Sequence, residues 1–275
     1  MMQRRRLFSS VDSLFGPRPT LLIRDIIGAV ERVAVSDLGI LITGESGTGK
    51  KWLAHLLHTL SGRHKKEATI LNCSWSSMDD IEQSLFGLER ITFADNEIHR
   101  GILEKSAGGT LILDRISELP KQLQLKIVRA MEHQDFHRIG GKENIRLNIR
   151  LIATVRRAFG ELQTHGELGK EIYHHMCPIM INLPPLRERR DDIPFLIEHF
   201  INVAISEKKQ RPKGITADAL RVCMKYHWPG NIGELQSVVF GAVRSCTDQF
   251  IERKHLPEYL YKTKTVPVAF ELLMS

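Results

Sequence analysis

Gly44-Glu45-Ser46-Gly47-Thr48-Gly49-Lys50 places three glycines and a lysine between two patterned segments. Before it runs the apolar Leu38-Gly39-Ile40-Leu41-Ile42-Thr43, and after it Leu53, Leu56, Leu57 and Leu60 recur at helical spacing. A strand that turns through glycines into a helix can wrap its backbone around a phosphate with the N–H groups pointing inward. The helix N-terminus adds about half a positive charge there. Lys50 supplies a mobile cation for the outer phosphates. A chance glycine turn is the plainer alternative, and the flanking strand and helix argue against it.

Four further runs have strand length: Ala68–Asn72, Thr110–Asp114, Arg150–Thr154 and Ile179–Leu183. Helical spacing returns between them, as in Leu123, Ile127, Ala130 and Met131. Buried strands alternating with helices imply a parallel sheet covered on both faces. Every strand but the last ends near a polar residue (Thr43, Asn72, Asp114, Thr154), and ligands of such sheets bind at the carboxyl ends. Asp114 closes its strand after Gly108-Gly109, where a carboxylate can face the phosphate loop and hold hydrated magnesium; a simple helix cap is the alternative. The residue after Lys50, commonly a Ser or Thr that ligates magnesium directly, is Lys51, so that ligation is lost.

After Pro184-Pro185 only helices are expected. Asp191-Asp192 precede Ile193-Pro194 as a helix start, Thr216 caps a second helix, and a turn at Trp228–Asn231 leads into a third. The expected organisation is a weakly structured 1–13, an α/β domain over 14–190, a helical lid over 191–261 and a tail over 262–275.

The chain has 275 residues, enough for this pair of domains, and 4 scattered cysteines with no zinc spacing, which excludes a disulfide scaffold. No apolar run approaches the ~18 residues of a membrane span, and no signal core follows the basic first residues. A soluble intracellular protein in a reducing compartment is expected. The net charge of +7 is spread over Arg4–Arg6, Arg63–Lys66, Arg187–Arg190 and Lys208–Lys213, without interleaved aromatics. These clusters are expected to be solvated surface or subunit contacts rather than a nucleic-acid face.

Six separated stretches together resemble the AAA+ domain of bacterial sigma-54-dependent activators. They are Ile42–Lys50, Leu71-Asn72-Cys73, Leu85-Phe86-Gly87, Ala107–Leu111, Leu183–Arg189 and Trp228–Ile232, in the family's order. The resemblance runs from about Leu14 to Leu260. It implies a five-stranded P-loop AAA+ sheet, an all-α lid, a ring oligomer (hexameric or mixed), and ATP or ADP with magnesium bound between subunits. It also implies sigma-54 RNA polymerase or a paralogous activator subunit as partner. Asn72 matches the family's switch asparagine.

The departures fall at the family's catalytic positions. Arg115 stands where the water-polarising glutamate is expected, and Val155 at the sensor asparagine. Gly169 and His175 stand at the two arginine fingers, and Gly233 at the lid's sensor arginine. The sigma-contacting loop keeps only Phe93, in Ile91-Thr92-Phe93-Ala94-Asp95-Asn96, and is expected to form the tip of a helical hairpin. A positioned base is worth roughly 10²–10⁴ in rate and an arginine finger roughly 10³–10⁵. The expectation is therefore a pseudo-ATPase that binds nucleotide, hydrolyses it weakly or not at all, and tunes an active paralogue by co-assembly. An active ATPase remodelling sigma-54 polymerase, a stand-alone nucleotide sensor and a decaying gene copy are the alternatives. No helix-turn-helix fits after Leu260, so direct DNA binding is not expected.

Other residues read more plainly. His165, His174 and His175 are expected at a surface or interface rather than on a metal. His55 and His58 are expected on the outer face of their helix, and Trp52, Trp75 and Trp228 in packing.

Overall fold

The computed structural model describes residues 20–74, 77–91, 96–156, 172, 177–205 and 212–261. In chain order the first domain contains α1 (Leu21–Ala34), β1 (Ile40–Thr43), α2 (Lys50–Thr59), β2 (Thr69–Asn72) and α3 (Met78–Phe86). Then come β3 (Gly87–Ile91), β4 (Asn96–Arg100), α4 (Ile102–Lys105), β5 (Thr110–Asp114), α5 (Lys121–His133), β6 (Asp135–Phe136), β7 (Ile145–Arg146), β8 (Arg150–Thr154) and β9 (Ile179–Asn182). The main sheet has the order β2-β5-β8-β1-β9, all parallel. The α/β sheet expected from the sequence is thus present.

Side chains alternate across a strand, so one continuous apolar run serves two cores. Leu41, Leu111, Leu113, Leu151 and Ala153 face α3 and α5, packing on Ile81, Leu85, Phe86, Leu123 and Ile127. Ile40, Ile42, Ile112 and Ile152 face the opposite layer, with Ile23 and Val30 of α1 and Leu53 and Leu57 of α2. The three inner strands are buried at every residue. Register places Asn72 beside Asp114 and Thr43 beside Asn182, so the polar strand ends line one edge. The last strand joins this row after all: it stops at Asn182, whose Oδ1 accepts from the Thr43 hydroxyl at 2.9 Å.

β3 and β4 form an antiparallel ribbon, Gly87 opposite Arg100 through Ile91 opposite Asn96. The stem of this hairpin is therefore β-structure rather than helix, and Phe93 lies outside the described residues. Its root is pinned by Arg138, which pairs with Glu89 of β3 at 3.0 Å, Glu104 of α4 at 3.1 Å and Glu143 at 3.0 Å. These carboxylates, Glu104 first, raise the guanidinium pKa further.

The second domain contains α6 (Ile193–Ile205), α7 (Ala217–Lys225) and α8 (Asn231–Ser245). They close around Leu196, Ile197, Phe200, Ala219, Cys223, Leu235 and Val239, with Trp228 fully buried and its indole N–H donating to Cys223 O at 2.8 Å. Thr216 caps α7 as expected, accepting from the Ala219 amide at 3.4 Å. Two details differ from an all-helical expectation. Ile215 and Ile251 form an isolated parallel bridge. Asp192 does not cap α6; it is buried in a 3-10 turn and accepts from the Thr20 amide at 2.9 Å, tying the start of α1 to the lid.

Three further expectations are corrected by packing. His58 is buried, not outward, with Nδ1 2.9 Å from the Thr110 hydroxyl, because the i,i+4 pair Ala54–His58 lies on the face that meets the sheet. Arg189 is only 1% exposed, so the cluster around it is not merely solvated. Arg63 spans Asp37 and Asn148. Trp75 lies outside the described residues. Among those described, no helix is long and apolar enough to cross a membrane.

Trp228→Ala is expected to lower unfolding stability by about 3–5 kcal/mol, the usual cost of deleting a buried tryptophan. Urea denaturation followed by circular dichroism checks this; a loss under about 1 kcal/mol would show that the lid core does not depend on the indole.

Candidate functional site

The loop between β1 and α2 takes three glycine-only conformations, with φ +141° at Gly44, +77° at Gly47 and +103° at Gly49. At Gly47 a side chain is also excluded by contact, since a Cβ would stand 2.2 Å from the Gly230 carbonyl oxygen.

Each carbonyl from Gly44 to Gly49 has a donor. Lys50 Nζ donates to Gly44 O at 2.7 Å and Glu45 O at 2.6 Å, and the Thr48 hydroxyl also reaches Glu45 O, at 2.9 Å. Asn231 Nδ2 donates to Ser46 O at 2.9 Å, and the Ile232 amide to Gly47 O at 3.0 Å. Arg189 Nη2 donates to Thr48 O at 2.9 Å, and the Leu53 amide to Gly49 O at 3.0 Å. Carbonyls engaged in this way leave loop amides available to an anion, the arrangement of an anion cradle, while the Thr48 amide turns back on Glu45 O at 3.4 Å.

Three of these donors come from beyond the sheet: Arg189, Asn231 and Ile232. Arg187 adds a bidentate pair to the Glu45 carboxylate at 2.8 and 2.6 Å. That pair lowers the Glu45 pKa and raises that of Arg187. Asn231 closes the clamp, its Oδ1 accepting from the Leu186 amide at 2.8 Å. Lys50 is 8% exposed, and burial pushes its ammonium down to about 8. Asp114 opposes that push; Arg156 and Arg115 add to it.

At the end of β5, Asp114 is nearly enclosed. Its Oδ1 accepts from the Thr154 hydroxyl at 2.7 Å. Its buried Oδ2 receives no aligned hydrogen bond, but Lys51 Nζ stands 3.0 Å away as an ion pair and Arg115 Nε 4.0 Å away. Arg115 sits in the left-handed region at φ +62°, its amide donating to Thr154 Oγ1 at 3.0 Å. Its guanidinium donates to Ser74 Oγ at 2.9 Å, and Ser74 in turn bonds Glu118, which also pairs with Arg156 at 3.5 Å. Asn72 Oδ1 accepts from the Ser74 amide at 3.2 Å.

A divalent cation does not fit these residues. It needs oxygen ligands and a carboxylate free to meet it or its waters. Position 51 offers an ammonium in place of a hydroxyl, and that ammonium already stands on Asp114. Among the described residues no cluster of three His, Cys, Asp or Glu could hold a metal.

The fold therefore brings together Gly44, Glu45, Ser46, Gly47, Thr48, Gly49, Lys50, Lys51, Asp114, Arg115 and, through Ser74, Asn72. Gly233 lies against the loop, its amide 3.4 Å from Gly47 O, and a Cβ there would meet nothing closer than 3.8 Å. Packing thus does not exclude a side chain at 233. Val155 is fully buried in the core beside the sheet edge, with its amide donating to Ile42 O at 3.0 Å. Gly169, His175, His165 and His174 lie outside the described residues. The clamp of Arg187, Arg189 and Asn231 and the network of Ser74, Glu118 and Arg156 were not anticipated as site residues. The first was visible only as part of two stretches that resemble the family and of a basic cluster.

Comparison with known proteins gives two family matches, the Sigma-54 interaction domain over residues 19–182 and the AAA+ ATPase lid domain over 187–269. Similar proteins include the transcriptional regulatory protein ZraR of Klebsiella oxytoca, 34% identical over 89% of this chain and 55% of ZraR. The nitrogen fixation protein AnfA of Azotobacter vinelandii is 32% identical over 99% of this chain and 52% of its own length. The chain spans about half the length of these relatives. NtrX of Brucella abortus in complex with ADP superposes with a TM-score of 0.78 at 28% identity, over 93% of this chain and 59% of NtrX.

Gly47→Ala is expected to push the start of α8 off the loop. Amide hydrogen exchange across 231–245 should rise while the sheet stays protected; unchanged exchange would show that the clamp tolerates a side chain.

Proposed function

Because the chain belongs to the family of the Sigma-54 interaction domain and carries its AAA+ lid, we propose that it is a nucleotide-binding regulator of transcription with weak or absent hydrolysis. The loop Gly44–Lys50 would hold ATP or ADP, in keeping with the NtrX structures that contain ADP and ATP. One contrast carries the reading. The anion cradle is complete, every carbonyl engaged, while Arg115 stands at the sheet edge where the family's chemistry needs a carboxylate.

Among the described residues the surroundings offer no replacement base. Glu118, the nearest further carboxylate in this network, is engaged by Ser74, Arg115 and Arg156. Val155 presents an apolar side chain at the sensor position, and Gly233 presents none in the lid. The fingers at Gly169 and His175 and the loop around Phe93 depart from the family in sequence. Loss of a base and of a finger does not multiply cleanly, but either alone removes orders of magnitude. Random decay would damage the cradle and the lid clamp as readily as the catalytic positions, and both are intact. The role supported best is regulatory. The chain would co-assemble with an active paralogue in a ring that acts on sigma-54 RNA polymerase, inside a bacterial cell. Magnesium on Asp114 forms no part of this reading, because Lys51 stands there.

Calorimetry is expected to detect ADP and ATP binding by the folded chain, with Lys50→Ala weakening it while circular dichroism is unchanged. The phosphates select the charged form of Lys50. Affinity should therefore hold below about pH 8 and fall by up to about tenfold per unit above it. No binding at neutral pH would end the reading.

Arg115→Glu alone is expected to leave steady-state ATP hydrolysis near background, since the fingers and the lid arginine are still missing. A gain above about a hundredfold would show that the one carboxylate suffices. Mixed with an active relative, the wild-type chain should change that relative's hydrolysis in proportion to the mixing ratio. A flat response with no mixed oligomer by native mass measurement would remove co-assembly.

A further inference from the structure

We infer that the nucleotide site carries its own counter-charge: Lys51 and Arg115 replace the divalent cation, and ADP and ATP bind without magnesium. This rests on the reading of Gly44–Lys50 as a nucleotide cradle and adds what neutralises the phosphates there.

The observations are local. Where a P-loop site is built for magnesium, a hydroxyl follows the loop lysine and a strand-end carboxylate holds the ion's waters. Here both halves of that arrangement are altered together. The hydroxyl position is Lys51, and its ammonium lies 3.0 Å from Oδ2 of the very carboxylate that would orient the ion. The other oxygen of Asp114 is engaged by Thr154 at 2.7 Å. The Asp114 side chain is only 5% exposed, so a hydrated ion has little room beside it. Arg115 Nε, 4.0 Å from the same Oδ2, closes the remaining approach with a second positive charge.

Charge counting agrees. Lys50, Lys51 and Arg115 against Asp114 leave an excess of two positive charges before any ligand arrives. A divalent ion added among them meets three cations, whereas a di- or triphosphate meets a prepared field. Lys51 also has the freedom the role demands. Its side chain is 59% exposed, so its ammonium can turn toward the phosphates while still facing Asp114, without breaking core packing. Lysine is suited to this as a compact charge on a flexible stem. Free nucleotide carries more negative charge than its magnesium complex and would be the preferred form.

The test is a titration of the full chain with a fluorescent ADP analogue and, by calorimetry, with ATP, each in excess magnesium and in excess chelator. Dissociation constants for the wild type are expected to agree within about threefold, or to favour the chelated condition. Lys51→Thr restores the hydroxyl and frees Asp114, and magnesium should then tighten binding by about tenfold or more. Should that variant fail to fold, Lys51→Gln provides the second arm: it removes the charge without adding a hydroxyl, and should weaken binding in chelator. A wild-type affinity that falls about tenfold or more on chelation would overturn the inference while leaving the nucleotide reading intact. Failure to bind ADP or ATP in either condition would instead remove the nucleotide reading, and this inference with it.

Discussion

The six carbonyls from Gly44 to Gly49 govern much of this structure. A backbone loop of this kind has no side-chain core to hold it, and its shape depends on where its polar groups find partners. Lys50 and Thr48 hold the first two carbonyls from within, and Leu53 holds the last as α2 begins. The three between are held by Asn231, Ile232 and Arg189, from outside the sheet. The glycines follow from this, because only they reach the required φ and, at Gly47, only a missing side chain admits Gly230. The lid is therefore part of what shapes the loop, and the two domains meet at the site rather than merely beside it.

The second feature of the site is an inversion of sign. Strand ends in a parallel sheet gather polar residues, and here they gather Thr43, Asn72, Asp114, Thr154 and Asn182. Carboxylates are scarce among the groups that face the cradle, and cations are plentiful. Among the described residues Asp114 is the one acid at the ends of the central strands, and it is shared by Thr154, Lys51 and Arg115. An arrangement with this balance is suited to holding phosphate. Polarising a water needs a free base within reach, and the two carboxylates described at this edge, Asp114 and Glu118, are both engaged by cations or hydroxyls.

The continuous apolar runs of β1, β5 and β8 and the loop that follows β1 were legible because each is local: glycine spacing, apolar run and polar strand end lie within a few residues of one another. The lid helices were legible for the same reason, down to the Thr216 cap. The ribbon of β3 and β4 was not. Leu88-Glu89-Arg90 lacks the apolar character of the main sheet, because the ribbon stands away from that sheet and buries little. Arg187 and Arg189 fall in a basic run that in sequence looks like solvated surface or a subunit contact, as such a run does when its partners are far off. Their partners, Glu45 and Thr48, are 142 and 141 residues distant. His58 was misjudged on weaker grounds, since its i,i+4 relation to Ala54 already placed it on the inner face.

The two ion-pair assemblies differ in how they meet solvent, and ionic strength separates them. Arg187 and Glu45 are 39% and 38% exposed, whereas Arg138 is 6% exposed with Glu89 at 14% and Glu104 at 16%, only its third partner Glu143 being open to solvent at 67%. Screening acts on the first pair at salt concentrations where the Debye length falls to a few ångströms, and acts much less on the second. Added salt thus works as a selective solvent for this chain. It loosens the charged part of the lid's grip on the loop, leaves the backbone-directed bonds of Asn231 in place, and spares the root of the ribbon.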